Sequence, residues 1–474
     1  MHMPNTTTQY PSSIFFRGST KSSPSKPVLP PVFDSSNEIS VGEKKMTCFT
    51  PSISQYSHQW LWDAGFHALI LAHYGKKGID LAKREISTLL GGQWKEKGRD
   101  EGFVAQIQFN TQPTHYRPNV NDWGTKHNTS GITQPPLIAP AVREIYHQDK
   151  DIHYLKKVYP DMLLYHEWMH KNRVENGLAA IIHPWESGTD NSPIFDEARQ
   201  RLLQQRYSDV VVPERADQKH VDPSQRPKAD DYKVYWGLLN QFKKWDWDHY
   251  HMGKNSPFRV AEPLFNTLWA KGNDDLAFLA EELAKNSDHN KHQYKRDAQK
   301  LKAWANDTRQ SMRKKLWDDK DGFFYPYDLN TGKPIKVKSV NGLTPLYAKI
   351  PTPEMTKKLI PHLLDKNEFA GKLGIPSLAF NEKTFEPQRY WRGAMWINTM
   401  WLINSGLRLY PSIKEAEPLA EKLSVQSENL IKKSGYREYF DPRTGEGLGA
   451  KNFCWSAIAH IKPESGRHPR VKSL

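Results

Sequence analysis

The chain is expected to fold as an all-α toroid of paired helices, an (α/α)6 barrel with long loops, some holding short strands, at the active-site end. Three observations predict it. Apolar stretches with little polar interruption recur at 62–74, 134–147, 261–271, 342–350, 391–408 and 453–461, as in helices buried on most sides. Between them lie amphipathic, charge-rich stretches at 79–90, 151–173, 274–285, 292–316, 354–365 and 414–433, the pattern of half-exposed helices. The alternation suggests about six inner helices, each followed by an outer one. Finally, 92–133 and 174–229 are rich in Gly, Pro, Asn and Asp and fit no simple helix. Loops that long in a compact domain are usually functional.

Taken in order, residues 1–45 are rich in Ser, Pro and Thr without a steady apolar period, and read as an extended arm. A single catalytic domain is expected over 46–462, with a short strand within 102–109 (G-F-V-A-Q-I-Q-F). Residues 463–474 form a short basic tail. The final apolar stretch has no outer helix after it, so one outer position is expected to be missing or replaced.

The 474 residues are 37% hydrophobic and 25% charged, a globular and not a disordered composition. The 16 Trp offer large rigid faces with a polar tip, suited to a core or to a sugar-binding cleft. A net charge of +14 fits an anionic partner. The basic residues are dispersed, however, and the densest groups, Lys243-Lys244 and Arg313-Lys314-Lys315, lie in helical patterns. A solvated face is the better reading, and no nucleic-acid partner is expected. Two cysteines, Cys48 and Cys454, make no disulfide framework. No apolar run reaches membrane-spanning length and the start lacks a signal core, so a soluble, cytoplasmic protein without membrane association is expected. The sequons at Asn5, Asn128 and Asn306 then carry no weight.

The segment H-P-W-E-S-G-T-D-N-S-P (183–193) holds Glu186 and Asp190 beside Trp185, in residues that break helices. A loop that carries acids beside an aromatic is a candidate catalytic element. A competing motif is H-E-W-M-H (166–170), the zincin spacing, with Glu186 available as a third ligand. Its segment also reads as one amphipathic helix carrying Leu155, Val158, Met162 and Met169, so no metal or other cofactor is expected.

The stretches S-Q-Y-S-H-Q-W-L-W-D (54–63), I-T-Q-P-P (132–136), H-P-W-E-S-G-T-D-N-S-P, F-R-V-A-E-P-L-F-N (258–266), R-Y-W-R-G-A-M-W-I-N (389–398), E-Y-F-D-P-R-T-G-E-G-L-G-A (438–450) and F-C-W-S-A (453–457) occur in one order. Together they resemble glycoside hydrolase family 63, above all its small single-domain mannosylglycerate and glucosylglycerate hydrolases. The resemblance implies an (α/α)6 barrel and hydrolysis with inversion at the anomeric carbon. It implies Asp190 as general acid and Glu438 as general base; Glu446, in the same loop, is the alternative base. Inverting enzymes hold two such carboxyls about 6.5–9.5 Å apart, and the acid needs a raised pKa.

The resemblance further implies that Tyr56, Trp60, Trp62 and Asp63 contact the sugar, with Gln134 on neighbouring hydroxyls and Tyr390, Trp391 and Trp396 walling the other side. Trp185 and Glu186 join this set, Glu186 as a ligand of a hydroxyl or of a loop backbone. In H-V-D-P-S-Q-R-P-K-A-D-D-Y (220–232), Arg226 matches the arginine that holds a glycerate carboxylate, and Tyr232 a tyrosine beside it. A planar guanidinium suits a carboxylate, and a neutral disaccharide has no use for it. The expected substrate is therefore a small glycoside, glucosylglycerate or mannosylglycerate. The alternatives are a neutral α-glucosidase or α-mannosidase, a zinc metalloprotease, and a non-catalytic sugar-binding toroid. Oligomeric state is not legible.

Overall fold

The protein is described here by a computed structural model, which covers residues 28–42, 45–112, 120–287 and 289–463. Helix Leu61–Leu71 (L-W-D-A-G-F-H-A-L-I-L) is apolar except for Asp63 and His67, and all its residues are buried. It begins a closed series of six elements. Helix Ile138–Asp149, helix Pro263–Lys285, the 3-10 turn Thr344–Ala348, helix Ile397–Leu407 and the 3-10 segment Cys454–His460 follow, each packed on the one before, and the last returns to Leu61–Leu71.

Amphipathic helices cover this ring. Gly75–Gly91 packs on Leu61–Leu71, Ile152–Arg173 on Ile138–Asp149, Lys291–Lys315 on Pro263–Lys285, and Ala416–Ser434 on Ile397–Leu407. Helix Lys291–Lys315 shows why they face outward: it buries Ala298, Leu301, Ala305, Thr308 and Met312 along one stripe and leaves Lys291, Lys295, Arg296, Lys302, Lys314 and Lys315 to solvent. Helix Pro353–Leu364 follows the fourth inner element. Among the described residues no outer helix follows Cys454–His460, and none is long and apolar enough to cross a membrane.

Several expectations need correction. The stretches 261–271 and 274–285, read as an inner and an outer helix, are one continuous helix, Pro263–Lys285. Lys271-Gly272-Asn273 resembles a break, yet Asn273 Nδ2 donates to Trp269 O (2.9 Å) and Lys271 pairs with Asp275 within the same helix. The missing Gly272 side chain leaves room for His166, whose Cε1 would lie 3.2 Å from a Cβ there. The stretches 342–350 and 453–461 form 3-10 turns rather than α-helices. Pro345 opens the first and Lys349, at φ +54°, ends it; Pro463 disfavours helix at the residue before it, just past the end of the second.

The expected arm also has structure. Glu38–Val41 pairs antiparallel with Met46–Phe49, and Val32 and Phe33 are buried in the core. Residues 1–27 and the tail 464–474 lie outside the described residues. Of 102–109, only Ile107–Gln108 is a strand, paired with Gln59–Trp60. The long segment after helix Ile152–Arg173 contributes to a five-stranded antiparallel sheet. Its order is Lys333–Pro334, Tyr327–Asp328, Val260–Ala261, Leu178–Ile181, Val174–Glu175.

Candidate active site

The segments that enter the inner helices converge on one cavity of about 630 Å3, counting the space open to solvent at its mouth. Its lining includes eleven of the expected site residues: Tyr56, Trp60, Trp62, Asp63, Gln134, Trp185, Asp190, Arg226, Tyr232, Tyr390 and Glu438. Rings line it on several sides, which suits the apolar face of a pyranose. Asp63 sits in the first turn of helix Leu61–Leu71, and its Oδ1 has no hydrogen-bond partner among the described residues. Burial, with smaller contributions from Glu438 and Asp190, raises its pKa well above the usual carboxylate range.

The acid-bearing loop leaves strand Leu178–Ile181 through His183, whose Nδ1 accepts from Trp185 N (3.0 Å). Burial pushes the His183 imidazole down to about 3, so it stays neutral and can accept. Gly188 then turns at φ +70°, with the Trp62 ring 2.7 Å from where a Cβ would stand. Only glycine combines that backbone with that approach. Two residues on, Asp190 reaches the cavity half-buried. Burial raises its pKa to about 7; the Arg226 charge pulls the other way, and Glu438 and Asp217 add to the rise. Asp190 is not a helix cap: the 3-10 turn Pro193–Phe195 starts after Ser192 and has no side-chain cap.

Glu438 lies in the hairpin Arg437–Phe440/Gly447–Lys451, where the register slips between Arg437 and Tyr439. Such a bulge re-aims a side chain. Glu438 Oε1 accepts from Tyr56 OH (2.5 Å) and Arg226 Nη1 (3.4 Å), and Oε2 accepts from Ala450 N (2.9 Å). Gly449, at φ +63°, makes room: a Cβ there would stand 2.4 Å from Oε2. Glu446 is exposed in the turn of the same hairpin, away from the cavity.

Arg226 is buried beside Tyr390, its guanidinium 4.2 Å from the ring centroid, and Nε lies 3.3 Å from Asp217 Oδ2. Burial opposes its charge, yet the Tyr56, Tyr390, Glu438 and Asp217 groups outweigh it and raise its pKa. Asp217 Oδ2 also takes Arg215 Nη2 (2.7 Å), and Arg215 lies 3.8 Å over Tyr232. Burial pushes Asp217 up, but Arg215 and Arg226 hold it below the usual range. Tyr390 has φ +48°, a strained backbone for an aromatic residue.

Three expected ligands do not line the cavity. Glu186 is fully buried behind it: Oε1 takes Arg173 Nη2 (3.3 Å) and Thr133 N (3.3 Å), and Oε2 takes Ile182 N (2.8 Å). Of the two readings of Glu186, it is the backbone ligand. Trp391 and Trp396 stack on each other at 3.8 Å as core. Trp396 further stacks on Tyr439 and donates to Tyr390 O (3.2 Å), so the pair supports the wall instead of forming it. The zincin histidines are likewise taken up by packing, His166 fully buried and His170 half-buried. His166 bonds Asn273 Oδ1 (2.9 Å) and stacks on Trp269, while His170 stacks on Trp304. Among the described residues no three His, Cys, Asp or Glu side chains converge as a metal site.

Gln106, Asp217 and Trp455 are among the lining or adjoining residues that escaped the sequence reading. Gln106 donates to Trp185 O (3.4 Å) and keeps Oε1 without a partner among the described residues. Asp217 stands beside Arg226, and Trp455 lines the cavity and donates to Glu438 O (3.3 Å). Trp455 falls in the quoted F-C-W-S-A stretch, so a signal existed; isolated Gln106 and Asp217 carry none.

The sequence model of the mannosylglycerate hydrolase MGH1-like glycoside hydrolase domain matches residues 56–456. The chain belongs to this family. It is thus a glycoside hydrolase acting on small glycosides, as the quoted motifs implied. Mannosylglycerate hydrolase from Thermus thermophilus is 35% identical over 418 residues, 86% of this chain and 94% of the relative. Glucosylglycerate hydrolase from Mycolicibacterium hassiacum is 29% identical over 448 residues, 87% and 93% of the two chains. The crystal structure of GH63 mannosylglycerate hydrolase from Thermus thermophilus in complex with Tris and D-glycerate superposes with a TM-score of 0.78 at 33% identity, covering 87% of this chain and 94% of that one.

Proposed function

We propose that this family member hydrolyses the α-glycosidic bond of glucosylglycerate or mannosylglycerate with inversion. Asp190 is the general acid, Glu438 the general base, and Arg226 the ligand of the glycerate carboxylate. The observation that carries the reading is one aromatic cavity holding a carboxyl raised to about 7, a second carboxylate fixed by Tyr56 and a backbone N–H, and a buried arginine. As the bond from the anomeric carbon to the glycerate oxygen breaks, Asp190 gives that oxygen its proton. Water adds to the opposite face of the same carbon and gives a proton to Glu438. An acid at about 7 is largely protonated below neutrality and ready to donate. The Tyr56 bond holds Glu438 in place to receive the water proton.

Trp60, Trp62, Asp63 and Gln134 take the sugar in this reading, and Tyr232 flanks the acceptor. Relatives named for both glycerate glycosides, and one whose structure holds D-glycerate, support the substrate class. The closed series of six inner elements supports reading the domain as an (α/α)6 barrel, one catalytic unit over 46–462 that also takes in the N-terminal hairpin. The experiment is product analysis on glucosylglycerate, mannosylglycerate and a neutral α-disaccharide in parallel. Release of glycerate with little turnover of the disaccharide is expected. Preference for the disaccharide overturns the acceptor assignment.

A further inference from the structure

Asp190 lies between two residues tied to segments far along the chain. On one flank, Thr189 Oγ1 accepts from Asn341 Nδ2 (3.1 Å) across 152 residues of sequence. It also donates to Ser187 Oγ (3.1 Å), which donates in turn to Pro184 O (2.6 Å). Asn341 itself sits in the 3-10 turn Val340–Gly342, within hydrogen-bonding reach of Glu262, the cap of helix Pro263–Lys285. On the other flank, Asn191 Oδ1 accepts from Trp391 N (3.0 Å). Thr189 and Asn341 are buried and neither lines the cavity, so neither meets a substrate. A threonine hydroxyl and an asparagine amide in an otherwise packed interior are costly unless both are satisfied. Here each is satisfied by the other, and the loop they fix is the one that carries the acid.

We infer that Thr189 and Asn341 are positioning residues for proton donation: the Asn341–Thr189 hydrogen bond fixes the Asp190 carboxyl against the leaving oxygen. This rests on Asp190 being the general acid. A proton donor matters only as far as the leaving group needs a proton. The glycerate oxygen would otherwise leave as an alkoxide and so needs one, whereas fluoride leaves without it while water still delivers its proton to Glu438.

The test compares a glycosylglycerate with the matching α-glycosyl fluoride in Thr189→Val, Asn341→Leu, Thr189→Ser and Asp190→Asn. Displacing a reacting group by about 1 Å costs roughly 100-fold. Thr189→Val and Asn341→Leu are expected to lose about 10- to 100-fold in kcat on the glycosylglycerate and to keep most activity on the fluoride. Thr189→Ser, which retains the hydroxyl, should restore the glycosylglycerate rate. Two variants on opposite sides of the bond guard against one failing to fold, and thermal unfolding checks each. Equal losses on both substrates, with Asp190→Asn still sparing the fluoride, overturn the positioning role alone. Equal losses in Asp190→Asn as well overturn the acid assignment and the positioning role with it.

Discussion

Replacing Glu186 by Gln separates a substrate ligand from a buried strut. Neither Arg173 nor Glu186 exposes any of its side chain, and their N···O distance is 3.3 Å. The carboxylate also serves Ile182 N at 2.8 Å and Thr133 N at 3.3 Å. The amide keeps one carbonyl oxygen, so it leaves a backbone N–H facing an NH2 and the Arg173 charge without its counterion. Breaking a buried pair from one side costs about 3–5 kcal/mol, and a stranded buried donor adds roughly 1–3 kcal/mol. About 3 kcal/mol alone would move the urea midpoint by roughly half a molar to 1 M, because the slope of about 1–3 kcal/mol per molar for small proteins is steeper for a larger one. The assay is urea unfolding followed by tryptophan fluorescence, with kcat and KM measured on the fraction that folds. A large drop in midpoint is expected, with activity falling because Thr133 and Ile182 hold Gln134 and the acid loop. Wild-type stability with only KM raised would refute the reasoning and return Glu186 to the substrate.

Raising pH through about 7 deprotonates Asp190, so kcat/KM should fall above that value, and Arg226→Met, which removes an opposing charge, should move the limb upward; an unmoved limb contradicts the coupling. Folded Asp190 holds its proton to about 7, whereas an unfolded Asp releases it near ~4. Its contribution to stability therefore declines as pH rises through that window, and unfolding midpoints of Asp190→Asn should decline less. A charge-assisted pair is worth about 1.5–3 kcal/mol. Arg226→Ala should accordingly raise KM for a glycosylglycerate about tenfold to a hundredfold but spare a neutral glycoside, and equal losses would make it structural. Gly188→Ala must place a Cβ within 2.7 Å of the Trp62 ring, so kcat should collapse; an active variant would show that the loop has room to shift.

The site was more legible in the sequence than the ring around it. Residues 54–63 and 183–193 are long motifs in which loop-forming and functional residues are the same residues, so eleven of the expected contacts meet in one cavity. Trp391 and Trp396 misled because stacking on a neighbour and stacking on a sugar demand the same side chain. Choosing Glu438 over Glu446 needed the resemblance; the bulge that turns Glu438 inward is invisible in the pattern. Helix Pro263–Lys285 was split because Gly272-Asn273 looks like a turn, and only the neighbouring His166 explains the glycine. The hairpin at Glu38–Val41 and Met46–Phe49 escaped because two four-residue strands give too short an alternation to count. Asp217 and Gln106 owe their places to tertiary approach alone.

Turnover with direct attack by water is the central claim, and the anomer first released tests it most directly. Proton NMR of an α-glycosylglycerate during the first turnovers, before mutarotation, reads that anomer. The β-sugar is expected to appear first, and both Asp190→Asn and Glu438→Gln are expected to abolish its appearance. The α-sugar appearing first would contradict direct attack by water.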